Sequence, residues 1–281
     1  MNINTGYIAI KEVSFDVVRK SFNVPKKFSG ESRFVEVIGT RKSSIFNVGD
    51  LAIHEKAIPY FRADDFGDDC YFIPEVELNA RIVDGNFISV NELVYVDTDK
   101  TSNYKVNNAF TIDHEYNRFR EDIVTQSGIV VSVPLKATNS YINNSLLDIE
   151  LEVGDKVYTH HFLTHEDNET IFNGKKVYST RYEECYCRIR NGELEMLNEW
   201  NFIEPIKEKE SDIKIGSFMI KNEAEDDTKK GIVKYASKKL RKVGVNIGDT
   251  IFFKKDCDKK IIVEGETLFR VNSRDIVAKL K

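Results

Sequence analysis

The chain has few prolines and cysteines, no long apolar run and no excess of basic charge. Its 281 residues include five prolines and four cysteines. No apolar run approaches the length of about 18 residues that is expected of a transmembrane helix. No apolar signal segment opens the sequence. The cysteines form no CxxC pair, so reduced thiols are expected. We therefore predict a cytoplasmic protein with no membrane partner.

The charge balance argues against nucleic acid as a partner. The chain carries 41 basic and 46 acidic residues, for a formal net charge of -5, whereas a duplex-binding protein usually has a basic excess. The basic run at residues 238–242 is interpreted as a solvated loop.

Recognisable catalytic motifs are also missing. The sequence contains no Walker loop, no dinucleotide-binding fingerprint, no nucleophile elbow and no HExxH motif. Carboxylates are so frequent that no pair stands out as a general acid and base. We therefore predict a protein that is not an enzyme and needs no cofactor.

Two clusters of possible metal ligands are better explained without a metal ion. His160, His161 and His165 lie close in sequence, but neighbouring residues of a strand point to opposite faces, so an exposed polar loop is favoured. The acidic run at residues 64–69 lacks the ligand spacing of a calcium loop and is interpreted as a solvated turn. No metal site is predicted.

The pattern that is present has a period of two. Alternating apolar residues, rich in β-branched and aromatic types, recur along most of the chain, and capped helical stretches are hard to find. Clear examples are residues 6–13, 33–39, 128–133, 156–162, 231–236 and 259–265. The sequence predicts an all-β fold.

Three Gly-Asp pairs, roughly 100 residues apart, each stand before a run of alternating apolar residues. The pairs are Gly49-Asp50, Gly154-Asp155 and Gly248-Asp249. Glycine accepts a positive φ at no steric cost, and an aspartate side chain bonds nearby backbone amides. Each pair is therefore predicted to form a tight turn that leads into a buried strand.

Further signals recur in the same order around these turns, which indicates an internal repeat. A short strand comes first, at residues 6–13, 108–116 and 216–223. A glycine that opens a strand follows, then the Gly-Asp strand, a hairpin and a closing phrase at 85–97, 192–206 and 265–280. We predict three modules, 1–99, 100–208 and 209–281, joined by polar linkers.

The third module contains, in order, the strand opening Gly231-Ile232-Val233, the turn Ile247-Gly248-Asp249 and an apolar phrase at residues 268–278. These resemble the G-x-V strand, the V-G-D strand and the closing apolar phrase of the GroES (chaperonin-10) family. The likeness is weaker in the second module and weakest in the first. It implies three tandem small irregular β-barrels of GroES-like type.

The resemblance also implies a function and a partner. GroES-like proteins assemble with neighbours and dock onto a chaperonin ring through a mobile loop with an apolar tip. The corresponding tips are expected at Phe22 and Val24 in the first module and at Ile123 and Val124 in the second. In the third module the corresponding stretch is expected at residues 222–230, which have no apolar tip and depart from the family pattern.

Two alternative functions are predicted. The first is a homo-oligomeric co-chaperonin-like protein that binds a chaperonin ring through these tips and assists protein folding. The second is a structural assembly protein, such as a virion or ring component, in which the same barrels pair through their strand edges. The loop tips also have a simpler explanation, since they can belong to strands or pack on their own module.

Overall fold

In the computed structural model, strands make up most of the described residues. The described residues are 6–13, 33–42, 44–54, 61–83, 86–90, 92–98, 104–107, 110–112, 126–139, 145–161, 163–164, 168–172, 175–207, 212–215, 218–221, 226–255 and 257–280. They form two compact units. One is drawn from Met1–Thr101, Ser127–Lys156 and Leu163–Glu184, and the other from Ser102–Gln126, Val157–Phe162 and Cys185–Lys281.

The first sheet contains seven antiparallel strands in the order β4-β5-β1-β2-β3-β6-β7. Their bounds are β1 Tyr7–Glu12, β2 Arg33–Gly39, β3 Leu51–His54, β4 Phe61–Arg62, β5 Cys70–Pro74, β6 Leu78–Val83 and β7 Asn86–Ser89. A 3-10 turn, Glu75–Glu77, separates β5 from β6.

The second sheet has the order β15-β16-β8-β11-β14-β17-β18, and two separate hairpins, β9–β10 and β12–β13, leave it. The bounds are β8 Leu93–Asp97, β9 Tyr104–Asn107, β10 Phe110–Ile112, β11 Ser127–Ser132, β12 Ala137–Asn139, β13 Ser145–Leu147, β14 Lys156–Tyr158, β15 Glu169–Phe172, β16 Lys175–Arg181, β17 Cys187–Arg190 and β18 Glu193–Met196. A 3-10 turn, Tyr182–Glu184, precedes β17.

The third sheet has the order β24-β25-β19-β22-β23-β26, with a separate β20–β21 hairpin. The bounds are β19 Trp200–Lys207, β20 Asp212–Ile215, β21 Phe218–Lys221, β22 Asp226–Tyr235, α1 Lys238–Lys242, β23 Thr250–Phe253, β24 Lys259–Val263, β25 Glu266–Asn272 and β26 Ile276–Lys279. A 3-10 turn, Ser273–Asp275, precedes β26.

The three sheets share one strand order. In each, an opening strand (β1, β8 or β19) lies between a hairpin and a second strand (β2, β11 or β22). The Gly-Asp strand (β3, β14 or β23) comes next, followed by a closing strand (β6, β17 or β26). A 3-10 turn precedes every closing strand. The internal repeat seen in the sequence is therefore also a repeat of topology.

The prediction of an all-β fold is confirmed in its coarse form, because strands dominate the described residues. The strand orders are those of open sheets, and no described pairing closes one into a barrel. The three GroES-like barrels and the module boundaries at 99/100 and 208/209 stay predictions.

Two details of the predicted strand order are wrong. Residues 108–116 and 216–223 contain β10 and β21, which belong to separate hairpins, and the opening strands are instead β8 and β19. The phrases at 85–97 and 192–206 do not close the first two sheets, because they contain those same opening strands. The closing strands are β6 and β17, which the alternation pattern alone does not distinguish from hairpin strands.

Alternation along the strands supplies two apolar clusters in each compact unit. In β2 of the first unit, Phe34 packs in one cluster and its neighbour Val35 in another. In β19 of the second unit, Phe202 and Ile203 are divided in the same way. Successive residues of a strand point to opposite faces, so these strands are covered on both sides.

The basic run at 238–242 is a single helical turn, and its interpretation as a loop is wrong. Ser237 caps it by accepting a hydrogen bond from Leu240 N at 3.2 Å. Leu240 is buried in the core, which explains why this charged segment is held in place. Among the described residues, no helix has the length and apolar character needed to cross a bilayer.

Candidate functional site

The Gly-Asp turn of the third sheet is a four-residue turn locked by backbone and side-chain hydrogen bonds. Asp249 N donates to Asn246 O at 3.2 Å, and Asn246 N donates to the Asp249 carboxylate at 2.7 Å. Gly248 N donates to Val233 O at 2.8 Å, and Val233 N donates to Asp249 O at 2.9 Å. The turn is thus tied both to itself and to the second strand, β22.

The other two turns repeat this bonding. Each carboxylate accepts from the amide three residues earlier, and each glycine amide donates to a buried valine of the second strand. The bonds are Asn47 N to Asp50 Oδ2, 2.8 Å; Gly49 N to Val37 O, 2.7 Å; Glu152 N to Asp155 Oδ2, 2.8 Å; and Gly154 N to Val130 O, 2.8 Å. One physical device is therefore used three times.

The turn glycines are required for backbone conformation. Gly49, Gly154 and Gly248 have φ of +93°, +96° and +88°, the region that L side chains rarely adopt. A Cβ built on any of them meets no atom within 4 Å. Space is available at these positions, and only the dihedral angle selects glycine.

The glycines of the second strands are required for space. A Cβ on Gly128 would lie 2.5 Å from Asp97 O and 2.5 Å from Val96 Cγ1. A Cβ on Gly231 would lie 2.9 Å from Glu204 O and closer still to the side chain of Ile203. Their neighbours belong to the opening strands, which approach the second strands closely at these points.

Two of the turn aspartates also meet a basic residue of the closing strand. Lys279 Nζ lies 2.6 Å from Asp249 Oδ2, and Arg81 NH1 lies 3.9 Å from Asp50 Oδ2. Lys279 pairs opposite Ile251 and Arg81 opposite Ala52, two residues after the respective aspartates. Arg81 and Lys279 are thus equivalent positions of the repeat.

The electrostatics favour a turn lock over a reactive group. Donation from Asn246 N, and secondly from Lys279, lowers the pKa of Asp249 below its usual range. A carboxylate held ionised by backbone amides is a poor proton donor or acceptor near neutral pH. The Gly-Asp turns therefore form a structural site.

Each turn presents one exposed aliphatic residue just before its glycine. Val48, Val153 and Ile247 are 65%, 66% and 63% exposed. Single exposed apolar residues are ordinary on protein surfaces. Here, however, the same position is apolar and exposed in all three sheets, a regularity that the core does not explain.

The four predicted loop tips lie outside the described residues. Phe22 and Val24 fall within 14–32, and Ile123 and Val124 fall within 113–125. The structure describes all six turn residues and brings each Gly-Asp pair together with a valine of the second strand.

The histidines are arranged differently from the expectation. β14 ends at Tyr158, so His160 and His161 do not alternate on a strand, and their rings lie 4.0 Å apart. Both are half-buried, which contradicts the predicted exposed loop; His165 lies outside the described residues. Burial, and then the charges of His161 and Arg270, lower the pKa of His160 to about 3.

A metal centre has no support from the rest of the described chain. No three His, Cys, Asp or Glu side chains come together there as possible ligands. In the acidic run, Asp64–Phe66 forms a 3-10 turn, and Arg62 lies 3.7 Å from Asp64. All four cysteines are free thiols, and Cys70, Cys185 and Cys187 are buried.

A signal for the closing strands was present in the sequence. Each 3-10 turn ends in an acidic residue followed by an apolar one that starts or precedes the closing strand: Glu77-Leu78, Glu184-Cys185 and Asp275-Ile276. In the third module the pair lies within the predicted closing phrase at 265–280, whereas in the first two modules it lies outside the predicted closing phrases at 85–97 and 192–206.

Comparison with models of known protein families and with curated proteins finds no match to this chain. The repeat geometry is therefore the main guide to function.

Proposed function

We propose that the chain is a non-enzymatic, co-chaperonin-like protein of three GroES-like units that docks onto a chaperonin ring through the segments between its opening and second strands. The supporting observation is where the chain leaves each sheet. The opening and second strands are neighbours, yet they are joined by residues 13–32, 98–126 and 208–225. Two of these connections, 98–126 and 208–225, carry a hairpin that is separate from the main sheets of the described chain. Binding residues are often found on segments that leave a rigid scaffold in this way.

The third connection is longer than residues 222–230, the stretch without an apolar tip that was expected to correspond to the docking loop. Residues 208–225 read EKESDIKIGSFMIKNEAE and include isoleucines, a phenylalanine and a methionine. The stretch 222–230 covers only the end of this connection and the start of β22. All three connections therefore carry apolar residues in a polar context, the composition suited to a docking segment.

The test mixes the full chain with a chaperonin ring and ATP and measures complex formation by size-exclusion chromatography. Co-elution is expected for the wild type and for Leu146→Ser, which removes an exposed apolar side chain of β13. It is expected to be lost in a variant combining Ile123→Ser and Val124→Ser, and weakened by Phe22→Ser with Val24→Ser. Absence of a wild-type complex would overturn the proposal.

A second candidate function is a structural assembly protein that uses the same units without a chaperonin. Two observations favour it: the repeated exposure of Val48, Val153 and Ile247, and the exposed edge strand β26, where Val277 is 67% exposed. Exposed sheet edges are templates for pairing between chains.

The second candidate is tested by self-association. Sedimentation at increasing concentration should show an oligomer that the triple variant Val48→Ser, Val153→Ser, Ile247→Ser weakens, whereas Leu135→Ser, an exposed control, should not. A monomer at all concentrations contradicts the assembly function. The co-chaperonin-like function is then tested by the chaperonin experiment alone.

A further inference from the structure

We propose that Arg270, framed by the rings of Tyr186 and Trp200, is a binding site for a small carboxylate. This goes beyond the proposed docking function, because it assigns a ligand to a group of side chains distant in sequence from the connections discussed above.

Arg270 is a buried charge without an acidic partner among the described residues. It lies in β25 and is 8% exposed. No hydrogen bond or ion pair joins its guanidinium to a described side chain or carbonyl; its contacts there are with rings. Glu264 in the same hairpin instead accepts a hydrogen bond from Tyr158 OH at 2.7 Å. A buried cation is costly unless an anion or hydrogen-bond acceptors compensate it.

Two aromatic rings fix the guanidinium from adjacent sides. Its central carbon lies 4.5 Å from the centre of the Tyr186 ring and 5.6 Å from that of Trp200. The two rings meet edge to face, 4.9 Å apart at 71°. Ring faces attract the positive charge, but they leave the N–H donors of the guanidinium without conventional acceptors.

Arg270 keeps only 8% of its surface exposed. A site this enclosed suits a small ligand rather than a protein segment.

The geometry favours a carboxylate over a phosphate. A carboxylate pairs edge-on with a guanidinium, in its plane, through two parallel hydrogen bonds. The centre of the Tyr186 ring lies only 4.5 Å from the central carbon of the guanidinium, which leaves less room for a tetrahedral phosphate than for a planar carboxylate. His160 is uncharged near neutral pH because of its low pKa, so it does not compete for the anion. Lys259, opposite Arg270 in the β24–β25 pairing, is exposed and adds positive potential.

The chain supplies its own reporter, since Trp200 is its only tryptophan. The experiment titrates sodium acetate into the full-length protein at constant ionic strength, with sodium chloride and inorganic phosphate as parallel arms, and follows tryptophan fluorescence. A saturable change with acetate alone is expected. NMR titration of the histidines should show a rise in the pKa of His160, because the bound anion offsets the charge of Arg270.

Arg270→Lys keeps the charge and removes the planar fork. Acetate should then bind more weakly by about tenfold or more, which is the loss expected for one charged hydrogen bond. Arg274→Lys, a more exposed arginine in the adjoining 3-10 turn, should bind acetate as the wild type does. Tighter binding of phosphate than of acetate, or no saturable change in the wild type, overturns the proposal even if Arg270→Lys fails to fold.

Discussion

At Gly248 a side chain would enter open space, whereas at Gly231 in the neighbouring strand it would collide with the opening strand β19. The first glycine is selected by a φ of +88° and the second by the approach of Ile203 and Glu204. Both belong to the same repeated unit, and both look alike in the sequence. Two glycines of one repeated unit are thus required for different physical reasons, and substitutions at each position distinguish the two reasons.

The largest effect is expected at the strand glycine. Gly231→Ala should destabilise the protein by about 3 kcal/mol, the upper part of the range for overpacking a close contact. Urea denaturation followed by circular dichroism gives the value. In an Ile203→Ala background the added methyl group loses its main obstacle, so the cost of Gly231→Ala should fall. An equal cost in both backgrounds would show that steric approach is not the reason for glycine there.

A smaller effect is expected at the turn glycine. Gly248→Ala should cost about 1–2 kcal/mol, because alanine disfavours the left-handed region by that amount. Gly248→Asn should cost less, since asparagine tolerates positive φ better. The same urea experiment compares the two variants. If asparagine proved as costly as alanine, the dihedral explanation would be wrong.

The loss of stability on replacing a turn aspartate should be larger where the aspartate is more deeply buried. Asp155 is 3% exposed, whereas the side chain of Asp249 is 22% exposed. Asp155→Ala should cost about 1–3 kcal/mol, because the amide of Glu152 loses its acceptor in a buried setting; Asp249→Ala should cost less. Asp155→Asn keeps an oxygen at the turn and is the matched control. Thermal unfolding of the three variants ranks them, and a larger loss for Asp249→Ala contradicts the ranking.

The smallest effect is the pH dependence of the Asp249 turn. Since the pKa of Asp249 is lowered in the folded protein, its contribution to stability is complete above the unfolded pKa of about 3.9. That contribution is lost as pH falls through the lower folded value. Asp249→Asn should therefore lose less stability than the wild type on acidification from pH 5 to pH 3. NMR titration of the carboxyl carbon checks the pKa itself.

Alternation predicted the strands and the repeat because period-two burial is a local property, visible in segments such as residues 33–39. The assignment of strands to sheets was harder. In the sequence, β8 and β19 look like the ends of the preceding segments, because each follows the previous strand after a short gap. Only the pairing of Tyr178 with Val96 and of Phe269 with Ile203 shows to which sheet each strand belongs. Long-range pairing of this kind leaves no local mark in a single sequence.

The candidate site was predicted unevenly for the same reason. The turn residues were found because glycine and aspartate act within four residues of each other. Arg270 was not found, because its neighbours Tyr186 and Trp200 are far away in sequence and no motif predicts that the three side chains meet. Similarly, the pairing of Arg81 and Lys279 with the turns depends on strand register.

The short gaps before β8 and β19 bear on how the protein can be divided for experiments. Only residues 90–92 separate β7 from β8, and only residues 197–199 separate β18 from β19. A polypeptide started at residue 100 would lack the strand that lies between β11 and β16, and one started at residue 209 would lack the strand between β22 and β25. Such pieces should aggregate, whereas pieces started at residues 90 and 197 carry complete strand sets.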